Sequence, residues 1–294
     1  MDYPKFTVVT PTYNQGQFIE KTIDSVLSQG YPNLEFIIID GGSKDSTTEI
    51  IKKYERHLAY WVSEPDRGQS HAINKGMARA TGEYLTWLNS DDWYIGNALQ
   101  HFIDLLRTKP GCSVAVGRGQ IVDGEGKVLS DKSPGAEITF EWMCQWLKGN
   151  YFMQPSCAFS HDAWRSVGGL RESIHMAMDL DLWLRFSKAG YNFATTETLL
   201  SISLSHPGAK TTAFVTESLL DAARVISAHG NTEGYEVLVT HLLQDEKMLR
   251  HRLGWYERNY RLIAQSQVLR VIHPLVKFFS REGQYWQREA PTWQ

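Results

Sequence analysis

The sequence predicts an α/β protein, a Rossmann-like, mostly parallel sheet flanked by helices, and three observations predict it. Short apolar runs rich in Val, Ile and Phe alternate with helical repeats through the first hundred residues. One of these runs, Phe36-Ile37-Ile38-Ile39, is apolar without alternation, as a parallel strand covered on both faces should be. Each run also ends in a polar loop carrying Gly or Pro. Strand and helix alternating at this spacing make a right-handed, doubly wound sheet.

In order, Phe6 to Thr10 is a β-branched run halted by Pro11. Residues 17–28 follow with Phe18, Ile19, Ile23, Val26 and Leu27 at helical spacing. Leu34 to Asp40 is the second strand, and the helix after it turns Ile50, Ile51 and Tyr54 inward. Ala59 to Val62 is a third strand, Ser70 to Ala80 a helix, and Tyr84 to Trp93 an aromatic strand with polar residues at its end. Asn97 to Leu106 reads as a helix and Ser113 to Val116 as a strand. Gln120 to Val122 and Val128 to Leu129 form a hairpin around Asp123-Gly124-Glu125-Gly126. The segment from Phe140 to Tyr151, with Phe152 beside it, is crowded with aromatic rings that either stack on a ligand or fill core. Cys157 to Ser160 and Leu199 to Ser205 complete the strands, and Phe214 to Ala228 and 233–253 read as helices.

A chain of 294 residues suffices for one large α/β domain with an appendage. Its net charge of -3 gives no global attraction to nucleic acid, and none is expected as a partner. The charge is uneven: from Lys247 onward nine Lys and Arg stand against three Glu, a balance of +6 that leaves -9 for residues 1–246. Within that tail, 268–279 mixes apolar and basic residues between flanking Trp and Tyr. Such a helix either lies on an anionic membrane surface or docks on a partner subunit. Three widely spaced cysteines form no CxxC pair, no secretory leader precedes the first strand and no run of 18 apolar residues exists. The expectation is a cytoplasmic protein, peripheral on the inner face of the membrane if the tail binds lipid.

The strands deliver their polar ends to one edge, where open α/β sheets bind ligands. That edge gathers Thr10, Thr12 and Asn14, then Asp40 to Asp45, Asp66 to Gly68, and Asn89 to Asp92. Asn89, Asp91 and Asp92 concentrate acceptors that repel one another unless a cation or donors neutralise them. Mg²⁺ or Mn²⁺ suits such oxygens, whereas the alternative is a carboxylate capping the helix that starts near Gly96. A nucleotide fits the whole set. Its base and ribose can bond Asp40 and the loop Thr10-Pro11-Thr12-Tyr13, and its diphosphate needs a metal with Arg67 and Lys75. The chain has neither GxGxxG nor GxxxxGK[ST], against a dinucleotide dehydrogenase or a P-loop enzyme.

Five motifs in this order, Thr10-Pro11-Thr12-Tyr13-Asn14, Asp40-Gly41-Gly42-Ser43-Lys44-Asp45-Ser46-Thr47, Glu64-Pro65-Asp66-Arg67-Gly68, Asn74-Lys75-Gly76 and Leu88-Asn89-Ser90-Asp91-Asp92, resemble the nucleotide-binding half of the family 2 glycosyltransferases. The resemblance implies a GT-A fold and inverting transfer of a sugar from a nucleotide diphosphate-sugar, UDP being the commonest carrier. The acceptor would be a glycan or a lipid-linked saccharide, as in bacterial surface polysaccharide synthesis. It implies nucleotide contacts from these motifs, including Gly42, Gly68, Asn74 and Ser90, and a divalent metal on a DxD element with Asp91 as its carboxylate. Asn89 stands where the family has Asp and can still accept through its carbonyl. Asn89, Asp92, Gln154, Met178 and Trp183 are expected near the donor or acceptor sugar. Asp179 matches the family's catalytic base, with Met178 where Glu is usual; the alternative is that Asp179 caps its helix. Asp181 is expected to be structural. His206 matches a histidine in a segment that closes over the diphosphate, a candidate metal ligand or plain surface, and Lys210 could neutralise phosphate.

The implied organisation is a catalytic domain over 1–210, with a nucleotide-sugar half at 1–93 and an acceptor half at 94–210. A helical C-terminal extension over 211–294 follows. The rival readings are a non-catalytic sugar-nucleotide-binding subunit, suggested by Asn89 and Met178, and a nucleotidyltransferase. The latter lacks its basic loop, since Pro11 to Gly16 carries no Lys or Arg.

Overall fold

The sheet grows outward from its first strand. In the computed structural model, which describes residues 3–231, β1 (Phe6–Thr12) is buried at every position. The expected helices at 233–253 and 268–279 and the basic tail lie outside the described residues. Helix α1 (Ile19–Leu27) buries Ile19, Ile23 and Val26, an i, i+4, i+7 stripe. β2 (Leu34–Asp40), α2 (Thr47–Lys53), β3 (Tyr60–Ser63), α3 (Gln69–Met77) and β4 (Tyr84–Trp87) follow, with β2 and β4 pairing parallel to β1 and β3 to β2. Successive residues of β1 and β2 serve opposite faces. Val9, Ile37 and Ile39 enter one core with Ile73 and Met77 of α3, and Phe6, Val8 and Ile38 enter the other with Ile19 and Ile23. α3 lies close because Gly76 has no side chain: a Cβ there would stand 2.4 Å from Val9 Cγ1.

The second half of the sheet is mixed rather than parallel. Its elements are β5 (Asp92–Tyr94), α4 (Ala98–Thr108), β6 (Cys112–Val122), β7 (Val128–Lys132), α5 (Phe140–Cys144), β8 (Cys157–Ser160), α6 (His161–Val167), α7 (Met178–Lys188), β9 (Asn192–Leu204), α8 (Lys210–Ala213) and α9 (Val215–Ala228). The strand order is β3-β2-β1-β4-β8-β6-β9-β5, with β7 beside β6. β8 is antiparallel to both β4 and β6, β5 is antiparallel to β9, and β6 and β9 are parallel.

Several boundaries differ from those read in the sequence. Pro11 does not end β1, which runs on to Thr12 beside Asp40. β4 leaves β1 after Val9, with Leu88 N–H bonded to the Val9 carbonyl, so proline's missing N–H breaks no ladder on that side. The fourth run stops at Trp87, and Asp92–Tyr94 becomes a separate strand on β9. β9 itself starts at Asn192, seven residues before the expected Leu199, through a Thr- and Glu-rich stretch with little apolar signal. Finally, α9 buries Ala222, Val225 and Ile226 in the same core as α7, so the unit built on this sheet continues past 210.

One buried charge holds the outer end of the parallel half. Glu35, 6% exposed, accepts from Thr7 Oγ1 (2.6 Å), Thr81 N (2.7 Å) and Thr81 Oγ1 (2.6 Å) and pairs with Lys5 Nζ at 2.6 Å. Burial alone would raise its carboxyl, but these donors outweigh it and hold the group at about 2, against an ordinary 4.5. A depressed native pKa contributes stability that is complete above the unfolded value and lost as pH falls towards the folded one. Screening at the half-exposed Lys5 leaves about 2–3 kcal/mol. Glu35→Gln should therefore lower the urea-unfolding free energy at neutral pH by about 2 kcal/mol. It should also flatten the acid loss of stability between 4.5 and about 2. Unfolding curves across that range check both, and an unchanged acid limb in the variant would assign the loss elsewhere.

Candidate active site

Loops at the carboxyl edge of the parallel strands are tied to one another by their own polar groups. Asn14, at φ 52°, donates its N–H to Ser43 Oγ (2.7 Å) and accepts from Lys44 N–H (2.8 Å). Gln15 N–H bonds Thr47 Oγ1 (2.9 Å) and Gly16 N–H bonds Asp45 Oδ2 (2.9 Å). Asp40 is fully buried: Oδ2 accepts from Ser43 N–H (3.0 Å), Gly42 N–H (3.2 Å) and Ser63 Oγ (2.5 Å), while Ser43 Oγ bonds Oδ1. Asn14 and Asp40 thus shape the crevice wall. Beside them Tyr13 is 59% exposed, and Asp66, bonded through Oδ1 to Gly68 N–H (2.7 Å), places Oδ2 within 2.6 Å of where a Cβ on Gly41 would lie. Only glycine at 41 leaves that space. The buried hydroxyls of Thr10 and Thr12 have no hydrogen-bond partner among the described residues.

The acidic element divides its work. Asp92 is 5% exposed, and burial, then the charge of Asp91, push its carboxyl well above the ordinary range, against donors from Ser203, Asn89 and Leu204 N–H. Asn89 donates Nδ2–H to Asp92 Oδ2 (3.0 Å) and accepts at Oδ1 from Gln69 Nε2 (2.7 Å). Asp91 meets His206: Nε2 lies 3.1 Å from Oδ2, with the two side chains 13% and 19% exposed and the Phe18 ring 4.4 Å from the imidazole. Neither Asp91 nor Asp92 caps α4, whose N-cap is Asn97.

The segment that carries His206 also carries Lys210, whose ammonium bonds Gln69 Oε1 (3.1 Å) and the His175 carbonyl. Burial lowers its pKa, and the charges of Asp179 and Asp221 oppose that. Asp179, in the first turn of α7, accepts from Leu180 N–H (2.8 Å). Burial raises its carboxyl, with Leu180 and its own N–H and then Lys210 pulling the other way. One short segment therefore places an imidazole beside Asp91 and an ammonium near Asp179, the two carboxylates expected to do chemistry. The first brings together an imidazole nitrogen and a carboxylate oxygen, donor types that a divalent cation accepts. Among the described residues no group of three or more His, Cys, Asp or Glu is placed to hold a metal ion.

Several expected contacts lie elsewhere. Trp183 is fully buried and stacks on Trp87 (5.8 Å, 9°), because α7 dips below the rim after its first turn; it is floor rather than pocket wall. Gln154 gives Nε2–H to the Trp87 carbonyl (2.8 Å) and finishes the end of β4. Met178 is buried with its sulfur 2.8 Å from Ser70 Oγ. Asn74 clamps Leu170 through both amide atoms (2.9 and 3.0 Å), Lys75 pairs with Glu64 at 2.5 Å, and Arg67 grips Glu172 through Nε (3.0 Å) and Nη2 (2.8 Å). Ser90 is buried, and so is Asp92, inside the element rather than facing a sugar. Gln69 was not singled out in the sequence. Its only signal there is a polar residue one position after Gly68, at the mouth of a helix.

The Glycosyl transferase family 2 profile matches residues 7–166. An uncharacterized glycosyltransferase of Rickettsia typhi is 29% identical over 206 residues, covering 67% of this chain and 63% of that protein, so the chain spans less than two thirds of this relative. Chondroitin synthase of Escherichia coli is 27% identical over 64% of this chain and 27% of its own length. Among solved structures, TarS of S. aureus in complex with UDP-GlcNAc has a TM-score of 0.62 at 16% identity, covering 81% of this chain and 71% of that one. A mannosyltransferase of Pyrobaculum calidifontis in complex with GDP-Man and Mn²⁺ has 0.58 at 18% identity, covering 96% and 89%. At such identities the likeness shows the fold, and that fold is GT-A. The profile match covers more than half of the chain, through all five motifs and the parallel half that bears them: the chain belongs to glycosyl transferase family 2.

Proposed function

We propose that this glycosyltransferase moves a sugar from a nucleotide diphosphate-sugar, a UDP-sugar first, to a hydroxyl of a glycan or lipid-linked saccharide, with inversion and with a divalent metal. The observation that carries the reading is the 206–210 segment, which sets His206 on Asp91 at 3.1 Å and Lys210 beside Asp179. The donor complexes of the structural neighbours support the nucleotide, and the kinship to chondroitin synthase supports a polysaccharide acceptor, as in bacterial surface polymers.

Asp179 takes the proton of the acceptor hydroxyl as that oxygen attacks the anomeric carbon from the face opposite the diphosphate. The charge of Lys210 pulls against the burial that raises this carboxyl. Tyr13 offers an exposed ring for a base, and Asp66 Oδ2 an acceptor beside it. Asp91 and His206 would hold the cation, which when bound supplies charge to the departing diphosphate. Arg67 and Lys75 are tied to Glu172 and Glu64 by solvent-screened pairs, weak enough for phosphate to displace.

Asp179→Asn should cut transfer by about 10²–10⁴-fold while nucleotide binding persists. Because burial raises Asp179, the acidic limb of the wild-type rate profile should lie above 3.8. Substantial residual transfer in the variant would remove Asp179 as base. A thermal-shift panel of UDP, GDP, dTDP and CDP, each with and without Mn²⁺ or Mg²⁺, tests the site itself. One nucleotide should stabilise the chain more with metal, and Asp91→Ala and His206→Ala should each abolish that increment. An increment that survives in both variants places the metal elsewhere, and no binding by any nucleotide argues for a degenerate enzyme.

No helix among the described residues is long and apolar enough to cross a membrane. We assign peripheral attachment at the inner face to the basic, aromatic tail. Deleting residues 254–294 should abolish co-sedimentation with anionic liposomes, and unchanged binding would remove the assignment.

A further inference from the structure

The first residue of α3, Gln69, is the centre of a polar chain that no single motif contains. Lys210 Nζ donates to Gln69 Oε1 (3.1 Å), Gln69 Nε2 donates to Asn89 Oδ1 (2.7 Å), and Asn89 Nδ2 donates to Asp92 Oδ2 (3.0 Å). The direction of the chain is forced. An ammonium has only donors, so Gln69 must turn its oxygen to Lys210 and its NH₂ to Asn89. Asn89 must then present its oxygen to Gln69 and its NH₂ to Asp92. The result is a one-way row of dipoles running from the exposed Lys210 ammonium to the buried Asp92 carboxyl, in which each bond polarises the next.

This row gives the departure at position 89 a physical reason. A carboxylate there could accept from Gln69 but could not donate to Asp92, and it would add a third carboxyl group beside Asp91 and the buried Asp92. An amide both accepts and donates. Asn89 is spent on this task, with its carbonyl turned to Gln69 rather than free for a cation, and Asp91 is left as the carboxylate of the element that meets His206. The neighbour of Gln69 marks the same junction from the other side, since Ser70 Oγ lies 2.8 Å from Met178 Sδ, one residue before Asp179.

From this geometry we infer that Gln69 is a positioning residue: it fixes the Asn89–Asp92 amide–carboxyl pair on one wall and Lys210, the cation beside Asp179, on the other, and so sets the two walls in register for transfer. The inference rests on the transferase reading for its rate consequence, but not for the existence of the chain. Gln69 is expected to touch neither the donor nor the acceptor.

Gln69→Glu changes one NH₂ to an oxygen at constant shape and removes the donor to Asn89. It should lower kcat by about 10–100-fold, the penalty of a misplaced catalytic group. UDP should still bind with Mn²⁺ to within about two-fold of the unaltered chain, so that the loss appears in kcat alone. A double-mutant cycle in urea unfolding, with Gln69→Leu, Lys210→Met and the pair, needs no sugar donor. The pair should unfold at the midpoint of the weaker single variant, because both break one chain. If no nucleotide sugar is turned over by the unaltered protein, the transferase reading fails and the midpoints alone decide the chain. Additive midpoints overturn the inference. So does a Gln69→Glu protein with unaltered kcat, or one that loses UDP affinity in proportion to kcat, which would make Gln69 a nucleotide ligand.

Discussion

Asp92 is the pin on which the two halves turn. Its carboxyl is buried at the end of the parallel half, yet two of its donors, Ser203 and Leu204 N–H, belong to the end of β9, and its own carbonyl accepts from Thr22 Oγ1 (2.7 Å) of α1. A carboxyl taken out of water costs several kcal/mol unless donors surround it. Here the donors come from the end of β9 and from Asn89, while α1 holds the main chain of the same residue, so none of them can shift without exposing the cost. The short antiparallel pairing of β5 with β9 is the backbone expression of the same constraint. It leads directly to the site, because β9 runs on into the segment that brings His206 to Asp91.

The parallel half was legible because burial on both faces writes itself into sequence as unbroken apolar runs, and Phe36 to Ile39 is the plainest. The second half was not. The first residues of β9, Asn192 to Thr198, pair with β6 through backbone groups while their side chains stay half-solvated, which leaves no apolar period to read. In the site, the motif residues were legible as a set but not by task. Asn14, Asp40 and Asn74 have the residue types a ligand would need, and each is consumed by the loops it braces. Sequence spacing put Trp183 one turn from Asp179, on the same side of a helix, but cannot tell how far the rim reaches down that helix. Asp181 is structural as expected. Gln69 was invisible because its partners lie 20 and 141 residues away.

Helix α9 belongs to this unit for an electrostatic reason as well as an apolar one. Asp181, 1% exposed, receives Arg185 Nε (2.8 Å), Arg171 Nη1 (3.0 Å) and His229 Nε2 (3.1 Å), the last from the residue that closes α9. Removing one partner of such a buried cluster leaves charge uncompensated, so the helix and the cluster hold one another in place. Asp221 of α9 reaches back to Met176 N–H (3.2 Å), three residues before Asp179. The turn that presents Asp179 is therefore fixed at both ends by groups beyond 210, where the family's motifs had already run out.

Rigidity and release are distributed unequally around the crevice. Its floor is aromatic: Trp87 stacks on Trp183, Phe152 and Phe159 pack beside them, and Gln154 bonds the carbonyl at the end of β4. Such a floor yields only by opening cavities, at several kcal/mol for each large side chain lost. The 205–210 segment is held instead by Ser205 N–H on the Val122 carbonyl, by His206 on Asp91 and by Lys210 on Gln69 and His175. Each of these contributes about 0.5–1.5 kcal/mol net, or somewhat more where charged. On the proposed reading a bound diphosphate with its cation would compete for His206, whereas nothing a donor carries would compete for the stacked rings. Ligand energy would then be taken up by that one segment while the aromatic floor stays unchanged.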